Sequence, residues 1–135
     1  GIDPEGVIFM QVKFYKCEHC GNIAVKVVDS KVPLVCCGEK MVELVPDSVD
    51  AAVEKHVPAV DMVERTVHVN VGAVDHPMEE AHFIEFVCLV TDKSYQIHPL
   101  RPGQAPHADF YICADEHPVT VYAYCNLHGL WKTEL

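Results

Sequence analysis

The chain has 135 residues, a formal net charge of −10 and a hydrophobic content of 50%. This length suits one domain of ordinary size, or a small domain joined to a tiny module. The acidic charge argues against nucleic acid as a partner, because surfaces that bind phosphate backbones are basic. No run of about 18 or more apolar residues occurs, so the sequence predicts no membrane span.

Cysteine usage indicates a reducing compartment. The seven cysteines are an odd number and are partly clustered, which favours metal binding over a secreted disulfide scaffold. The opening stretch "GIDPEGVIFM" lacks the basic start and long apolar run of a signal peptide. We therefore expect a cytoplasmic location, and we interpret residues 1–9 as an extension or a remnant of cloning.

The first segment, residues 10–46, is short-stranded and rich in cysteine. Its apolar runs are "QVKFY", "NIAVKVVDS" and "KMVELVP", and the alternation of Ile23, Val25 and Val27 predicts a half-buried strand. A module of this size buries too little apolar surface to fold securely alone, so it needs a staple.

Four cysteines of this segment supply a candidate staple. Cys17 and Cys20 form a Cys-x-x-Cys turn before Gly21, and the adjacent pair Cys36 and Cys37 follows. Four thiolates form the tetrahedral set that suits zinc or iron, although an adjacent pair requires a turn. The alternatives are a redox-active Cys-x-x-Cys and buried free thiols.

Residues 47–56 predict a helical turn between the two segments. Asp47 or Ser48 is expected to cap it, the alanine pair supports it, and Pro58 stops it. From residue 57 onward, seven runs have strand character and turn signals separate most of them. The pattern predicts an all-β chain whose larger part, residues 47–135, is an immunoglobulin-like antiparallel sandwich. These seven runs are "AVDMVER", "TVHVNVG", "HFIEFVCLVTD", "SYQIHPL", "HADFYIC", "VTVYAYC" and "HGLWKTE".

A second metal-ligand pair lies near the end of the chain. Cys125 and His128 in "AYCNLHGLWK" have the spacing of half a metal site. Three upstream histidines in loop-like contexts are candidates for the other half, namely His56, His76 and His82. Neighbouring prolines stiffen two of these loops, and the turn "HPMEEAH" can bring two imidazoles together.

The remaining histidines and cysteines are interpreted as ordinary residues. His68 has the context of a strand residue, and His19 that of a solvated spacer. We assign no role to His98, His107 and His117. Cys88 and Cys113 are expected to be buried small hydrophobic residues.

Five motifs together resemble desulfoferrodoxin, the two-iron-centre class of superoxide reductase. They are "KFYKCEHCGNIAVKVVDS", "VPLVCCGEKM", "AAVEKHVP", "DHPMEEAHFIEF" and "AYCNLHGLWK", in the family's order across residues 10–135. The resemblance implies a desulforedoxin- or rubredoxin-like module at 10–46 and a catalytic sandwich at 47–135. It implies one Fe(Cys)4 centre and one Fe(His)4(Cys) centre, with zinc as the alternative metal in the four-cysteine site. The implied ligands are Cys17, Cys20, Cys36 and Cys37 for the first centre, and His56, His76, His82, Cys125 and His128 for the second.

The resemblance also implies an activity. Superoxide is reduced to hydrogen peroxide at a non-haem ferrous centre with an open sixth position, which detoxifies superoxide. Lys55 is expected to steer the anion and hold a proton-delivering water, and Glu54 to close the sixth position of the ferric centre. The implied electron donor is a rubredoxin or a flavin-linked reductase, and the implied assembly is a homodimer.

Two other classes of protein fit part of the pattern. A blue-copper electron-transfer protein combines a β-sandwich with a C-terminal cysteine and histidine, but its axial methionine would follow them, and the last methionine here is Met78. A rubredoxin-like electron carrier or a zinc-stabilised binding module explains the four clustered cysteines alone.

Overall fold

A computed structural model describes residues 11–135. The extension predicted at residues 1–9 lies outside the described residues. The described chain separates into two compact units, Gln11–Val45 and Pro46–Leu135. Across these residues, no helix has the length and apolar composition needed to cross a membrane.

The smaller unit is a set of very short antiparallel strands. Three of them form a sheet in the order β2-β1-β5, and β3 pairs with β4 as a hairpin. The fully buried side chain of Phe14 anchors the central strand. The strands are β1 (Phe14–Lys16), β2 (Ile23–Val25), β3 (Val35–Cys36), β4 (Glu39–Lys40) and β5 (Val42–Glu43).

The strand predicted through Val27 is shorter than expected. β2 ends at Val25, and Val27 is 85% exposed. The chain turns instead, because the Lys26 ammonium donates to Asp29 at 3.0 Å and to the Val32 carbonyl at 2.8 Å. The inclusion of Val27 in a half-buried strand is therefore wrong.

The predicted helical turn exists but begins later than expected. Helix α1 spans Val53–His56, and its N-cap, Ala52, makes no side-chain capping bond. Asp47 adopts a positive φ of 58° and its carboxylate accepts from the Lys132 amide at 3.1 Å. The prediction that Asp47 or Ser48 caps the helix is wrong, because the Asp47 carboxylate is already bonded to β12.

The larger unit is an antiparallel sandwich, and the predicted all-β fold class is confirmed. One sheet has the order β10-β7-β6 and the other β12-β11-β8-β9. Seven strands build the two sheets, as many as the sequence predicts. They are β6 (Pro58–Val63), β7 (Thr66–Val71), β8 (Ile84–Thr91), β9 (Tyr95–Pro99), β10 (His107–Tyr111), β11 (Pro118–Cys125) and β12 (Gly129–Glu134).

The core lies between the two sheets and follows the alternation of the strands. In β7 the buried residues are Val67, Val69 and Val71, whereas the intervening side chains face outward and are half-buried. Phe110 of β10 and Leu89 of β8 belong to the same buried cluster. A period of two therefore assigns each strand residue to the core or to the outer face.

The two unassigned cysteines differ in burial. Cys88 lies in β8 and is fully buried, as predicted. Cys113 follows β10 in a loop and is exposed, so its predicted burial is wrong. Strand β10 ends at Tyr111, and the chain then turns at "DEHP", which leaves the Cys113 thiol outside the sandwich.

A buried carboxylate ties two turns of this unit together. Glu116 accepts from the Thr91 hydroxyl at 2.6 Å, the Ser94 hydroxyl at 2.7 Å and the Cys113 amide at 3.2 Å. These hydrogen bonds, the Thr91 bond foremost, lower the pKa of Glu116 from 4.5 to about 2. The stabilisation is therefore complete above pH 4.5 and is lost as the pH falls toward 2.

We expect Glu116→Gln to lower the midpoint of thermal unfolding at neutral pH, because the amide cannot accept from all three donors. The difference from the parent should shrink as the pH falls from 4.5 to 2, where the parent carboxylate also becomes protonated. Scanning calorimetry at matched iron content measures both effects. Glu80→Gln, at an exposed position, is the control, and a difference that is constant across this range would contradict the assignment.

Candidate metal centres

The four cysteines of the smaller unit converge on one point. Their sulfur atoms lie within 4.8 Å of one another. Cys36 Sγ is 3.6 Å from Cys20 Sγ and 4.0 Å from Cys37 Sγ. Sulfurs that each lie about 2.3 Å from one tetrahedral ion are about 3.8 Å apart, so these separations fit a common metal.

Two turns hold these sulfurs. The first is closed by the Gly21 amide, which donates to the Cys17 carbonyl at 2.9 Å, and Gly21 has a φ of 83°. In the second, Cys37 and Gly38 join β3 to β4 with φ values of 52° and 78°. Positive φ at both central residues is typical of the tight type I′ hairpin. The adjacent cysteines therefore lie at a turn, as the sequence requires.

The sulfur cluster has the electrostatics of a cation site. Hydrogen bonding from the Cys20 amide holds the pKa of Cys17 at about 6. Contact with the sulfurs of Cys17, Cys20 and Cys36 raises the pKa of Cys37 to about 12. Without a cation, Cys37 therefore holds its proton far more tightly than Cys17 does. A bound metal ion removes this difference in proton affinity, because it stabilises all four thiolates together.

Helix α1 carries the first histidine of the second cluster. His56 is its last residue and is 2% exposed. The His56 Nδ1 atom lies 2.7 Å from the Ala52 carbonyl oxygen. Because a carbonyl only accepts, Nδ1 carries the proton and the Nε2 lone pair is free for a metal.

The loop between β7 and β8 carries the next two histidines. His76 is buried, and its Nδ1 donates to the Pro77 carbonyl at 2.7 Å, which again leaves Nε2 unprotonated. His82 pairs with Glu79 through two backbone hydrogen bonds of 3.0 Å. The turn therefore brings the two imidazoles together, with ring centroids 4.6 Å apart.

The turn between β11 and β12 carries the last two candidates. Cys125 is the buried final residue of β11, and the His128 amide donates to its Sγ at 3.4 Å. Gly129 closes the turn with a φ of 80°. The Trp131 indole donates to the His128 carbonyl at 3.0 Å, and its ring lies 5.0 Å from that of His56.

The four imidazoles form a square. Successive ring centroids, in the order His56, His76, His82, His128, are separated by 4.6, 4.6, 5.1 and 4.9 Å. Neighbouring rings are inclined by 77–85°, whereas His56 and His82, on a diagonal, are 6.4 Å apart and inclined by only 31°. Four imidazoles in this arrangement could act together as nitrogen ligands of one metal ion.

The ligand atoms themselves converge. His56 Nε2 is 3.1 Å from both His76 Nε2 and His128 Nδ1. Cys125 Sγ is 3.9 Å from His128 Nδ1 and belongs to one group with His56, His76 and His82, whose ligand atoms all lie within 4.8 Å. Nitrogens about 2.1 Å from one ion and at right angles are about 3.0 Å apart, so the spacing fits a shared metal.

The chemistry of this donor set requires a cation. Since His56 and His76 both use their Nδ1 protons on carbonyls, two Nε2 lone pairs face each other at 3.1 Å. His82 Nε2 is buried and has no hydrogen-bond partner in the described structure. A buried nitrogen without a partner is costly, and a metal ion supplies what all these atoms lack.

Burial keeps these ligands in the protonation state that a metal needs. Desolvation lowers the pKa of His76 to about 4 and also lowers the pKa values of His56 and His82. Imidazoles are therefore neutral donors at physiological pH. Desolvation raises the pKa of Cys125, so its thiolate form depends on a nearby cation.

Glu54 and Lys55 are the two α1 residues directly before His56, and both are exposed. The charge of Lys55 contributes to the lowered pKa values of His56 and His82. Lys55 is therefore close enough for its field to reach the histidine cluster. The Glu54 carbonyl accepts from the Val74 amide at 2.8 Å, which fixes α1 to the loop that carries His76.

Fold and site together define a non-haem metalloprotein with a four-cysteine centre and a four-imidazole, one-thiolate centre in a β-sandwich. Residues 48–134 match the sequence profile of the Desulfoferrodoxin family, and residues 10–44 match that of the desulfoferrodoxin N-terminal domain. The chain is 47% identical to a desulfoferrodoxin of Nitratidesulfovibrio vulgaris, with 92% of this chain and 97% of the relative covered. It is 46% identical to one of Desulfarculus baarsii, with the same coverage. The chain belongs to the desulfoferrodoxin family.

Solved structures agree with this assignment. The superoxide reductase of Treponema pallidum superimposes with a TM-score of 0.79 at 33% identity, covering 93% of this chain and all of that one. The superoxide reductase of Giardia intestinalis, a 1Fe protein, has a TM-score of 0.51 at 33% identity and covers 61% of this chain. The two iron sites implied by the resemblance are thus present as ligand sets.

Sequence reasoning missed the residues that support the ligands. The carbonyls of Ala52 and Pro77 leave no sequence signal, because any residue supplies a carbonyl. Trp131 follows His128 closely in "HGLWK", and a buried tryptophan there was a detectable clue. Gly72 was also overlooked: a Cβ atom at this position would lie 2.7 Å from the Val57 carbonyl oxygen and 2.8 Å from that of Glu54.

We expect Gly72→Ala to displace α1 and impair the four-histidine centre. The new methyl group overlaps backbone atoms on both sides of His56, and such overpacking costs about 1–3 kcal/mol. Iron analysis should show the loss of iron from this centre, while the visible bands of the four-cysteine centre persist.

The control for Gly72→Ala is Gly103→Ala. A Cβ at Gly103 meets no atom within 4 Å, although its φ of 87° carries some strain. This control should lower stability but retain both irons. Normal iron content and spectra in Gly72→Ala would contradict the role of Gly72 as the close contact of α1.

We expect Cys125→Ser to remove the sulfur-to-iron charge-transfer band of the oxidised four-histidine centre, because a hydroxyl lacks the polarisable thiolate. Visible absorption and electron paramagnetic resonance measure this, with the bands of the four-cysteine centre as an internal reference. Cys113→Ser removes an exposed thiol and should leave the band unchanged. Persistence of the band in Cys125→Ser would exclude Cys125 as the ligand.

Proposed function

We propose that this chain is a superoxide reductase: one superoxide anion, one electron and two protons yield one hydrogen peroxide. The observation that carries the proposal is the square of four neutral imidazoles with a cysteine sulfur beside it. Relatives of the same fold are superoxide reductases, and the family assignment covers nearly the whole chain.

The donor set distinguishes this function from the blue-copper alternative. A blue-copper site uses two histidines, one cysteine and a weak axial ligand. Here four imidazoles surround one point, and the relatives are not copper proteins by name. The copper alternative also leaves the four-cysteine module unexplained, whereas residues 10–44 match the N-terminal domain of the desulfoferrodoxin family.

The ligand residues and the carbonyl groups that support them have different proposed roles. His56, His76, His82, His128 and Cys125 would hold an iron(II) ion, which would supply the single electron. The Cys125 thiolate donates electron density from its side of the site, as cysteine does in some haem enzymes. Carbonyls of Ala52 and Pro77 fix the orientation of two imidazoles, so little rearrangement accompanies the change of charge.

Lys55 is proposed to attract the substrate. Superoxide is an anion and the chain has a net charge of −10, so long-range repulsion must be offset locally. One positive charge about 4 Å away is worth roughly 4 kcal/mol at an effective dielectric near 20, before screening. Support comes from the field of Lys55, which extends to His56 and His82. Lys55 is also proposed to hold the water that delivers a proton.

Glu54 is proposed to occupy the sixth position when the iron is ferric. Its exposure and its place on α1, two residues before His56, support this role. An exposed carboxylate at this place can approach the site without a burial cost. We accordingly propose residues 47–135 as the catalytic domain.

Residues 10–46 are proposed as a separate Fe(Cys)4 domain. Support comes from the match of residues 10–44 to the N-terminal domain of the family and from the converging sulfurs. A rubredoxin or a flavin-linked reductase is proposed as the electron donor of the protein. Reoxidation of each reduced candidate by the oxidised chain, followed by stopped-flow absorption, tests this.

A homodimer is proposed as the assembly. The smaller unit exposes Val27, Val28, Val32 and Val35 by 65–85%, and such apolar surface is typical of an interface. A cytoplasmic location is proposed because none of the seven cysteines forms a disulfide, as a reducing compartment favours. Sedimentation equilibrium tests the assembly, and cell fractionation tests the location.

A stopped-flow assay tests the function. The iron-replete, reduced chain is mixed with superoxide, and the hydrogen peroxide and dioxygen formed are measured. A reductase gives one peroxide per superoxide without dioxygen, whereas dismutation gives both products. Formation of dioxygen, or no reaction above the spontaneous rate, would disprove the proposal.

We expect Lys55→Ile to lower the second-order rate constant for superoxide about tenfold at low ionic strength, because the local attraction is removed. Added salt should reduce the difference from the parent, since salt screens exposed charges. Stopped-flow spectroscopy at several salt concentrations measures this.

Lys93→Ile is the matched control for Lys55→Ile. Like Lys55→Ile, this variant removes one positive charge. Lys93, however, follows the last residue of β8, whereas His82 precedes the first residue of that strand. Its rate constant should stay close to that of the parent. An equal effect of both variants would show that net charge, rather than the position of Lys55, sets the rate.

A further inference from the structure

A third cluster of metal-type ligands lies on the outer face of the sandwich. The His68 Nδ1 atom is 2.6 Å from Asp109 Oδ1, and the His107 Nε2 atom is 2.7 Å from the same oxygen. The two imidazole rings are roughly parallel, with centroids 6.2 Å apart. Ligand atoms of all three residues lie within 4.8 Å of one another.

The sheet holds these three residues rigidly. Asp109 of β10 is the direct cross-strand partner of His68 on β7, and His107 lies two residues before Asp109 on the same face. The alternate residues Val67 and Val69 are fully buried in the core. The backbone positions of the cluster are therefore fixed by the fold.

The cluster is accessible to solvent, and a second carboxylate lies on the neighbouring strand. The side chains of His68, His107 and Asp109 are 37%, 41% and 41% exposed. Asp61 of β6 is the other direct cross-strand partner of His68. A hydrated cation can therefore reach the cluster, and a second carboxylate adds to its attraction.

We propose that His68, His107 and Asp109 form a third metal site, which binds a divalent transition-metal ion of the zinc class. Two imidazoles and one carboxylate are a donor set used by zinc and other first-row metals. Both histidines offer ring nitrogens to the same oxygen, so the set already converges. Three protein ligands leave the remaining positions to water.

Two of the three donor separations are close to those that a shared ion requires. Donor atoms about 2.1 Å from one ion are about 3.0 Å apart in octahedral and about 3.4 Å apart in tetrahedral geometry. The present separations of 2.6 and 2.7 Å are those of hydrogen bonds that the ion replaces. Rotation of the three side chains adjusts these separations, since all three ligand atoms already lie within 4.8 Å of one another. On binding, each imidazole gives the proton of its ligating nitrogen to water and takes one up on its other ring nitrogen, so that the freed lone pair binds the ion in place of the N–H···O bond.

The proposed site lies on the sheet that contains β7, the strand that leads into the loop carrying His76 and His82. β7 leads from His68 to Val71, whose carbonyl accepts from the His76 amide at 2.7 Å. An ion that joins β7 to β10 therefore stabilises the strand from which this loop starts. Because it binds only the folded arrangement, zinc should raise the unfolding temperature.

Calorimetric titration of the iron-replete full-length chain with zinc chloride tests the proposal. One zinc ion per chain should bind, with no release of iron, and zinc should raise the unfolding temperature. His68→Gln and His107→Gln should each weaken zinc binding at least tenfold, and Asp109→Asn provides a further variant that preserves size. The matched control is His117→Gln, which removes a histidine from another exposed pair, 3.1 Å from Asp92.

Loss of zinc binding in the cluster variants with retention in His117→Gln supports the site. Absence of stoichiometric zinc binding to the parent would overturn it. Zinc binding that is unchanged in His68→Gln or in His107→Gln would also overturn it, as would binding that occurs only with loss of iron.

Discussion

The crowding of unprotonated histidine nitrogens beside a buried cysteine sulfur is the constraint on which the larger unit depends. His56 and His76 have both used their Nδ1 protons on carbonyl oxygens, and their Nε2 atoms lie 3.1 Å apart. Buried lone pairs that face each other repel. Burial has also removed the water molecules that would otherwise donate hydrogen bonds to them. Only a cation can interact favourably with all of these donors together. The packing of the larger unit therefore forms a binding site for an ion.

Three separate parts of the fold bring these donors together. A four-residue helix supplies His56, the β7–β8 loop supplies His76 and His82, and the β11–β12 turn supplies Cys125 and His128. None of these parts is a long element that stands alone. These short parts are held in place by close backbone contacts. At Gly72, for example, only the absence of a side chain lets the loop approach α1.

Alternating strands and ligand motifs were predictable from sequence because both are local. The period of two places Val67, Val69 and Val71 in the core, and all seven predicted strands of the sandwich are present. The resemblance to desulfoferrodoxin also predicted which residues distant in sequence share one metal centre, which their spacing alone does not show. The four-cysteine cluster was predictable from the residues themselves.

Features that depend on partners distant in sequence were not predictable. Asp47 looked like a helix cap, but its carboxylate bonds to Lys132, 85 residues away. Val27 is a different case, because it fits the alternation of a strand but a local contact, from Lys26 to Asp29 three residues later, turns the chain. His68, His107 and Asp109 come together only through the pairing of β7 with β10, which the sequence alone does not show. The error at Asp47 concerns a local pattern whose meaning tertiary contacts decide.

The contact between His56 and His128 has a further consequence, because 72 positions separate the two residues. An ion bound to both acts as a reversible crosslink that closes most of the larger unit into a loop. A covalent crosslink over such a loop removes about 4 kcal/mol of chain entropy from the unfolded state. Dissociation of the ion and opening of the sandwich are thereby coupled, and the lifetime of the fold becomes linked to the residence time of its iron.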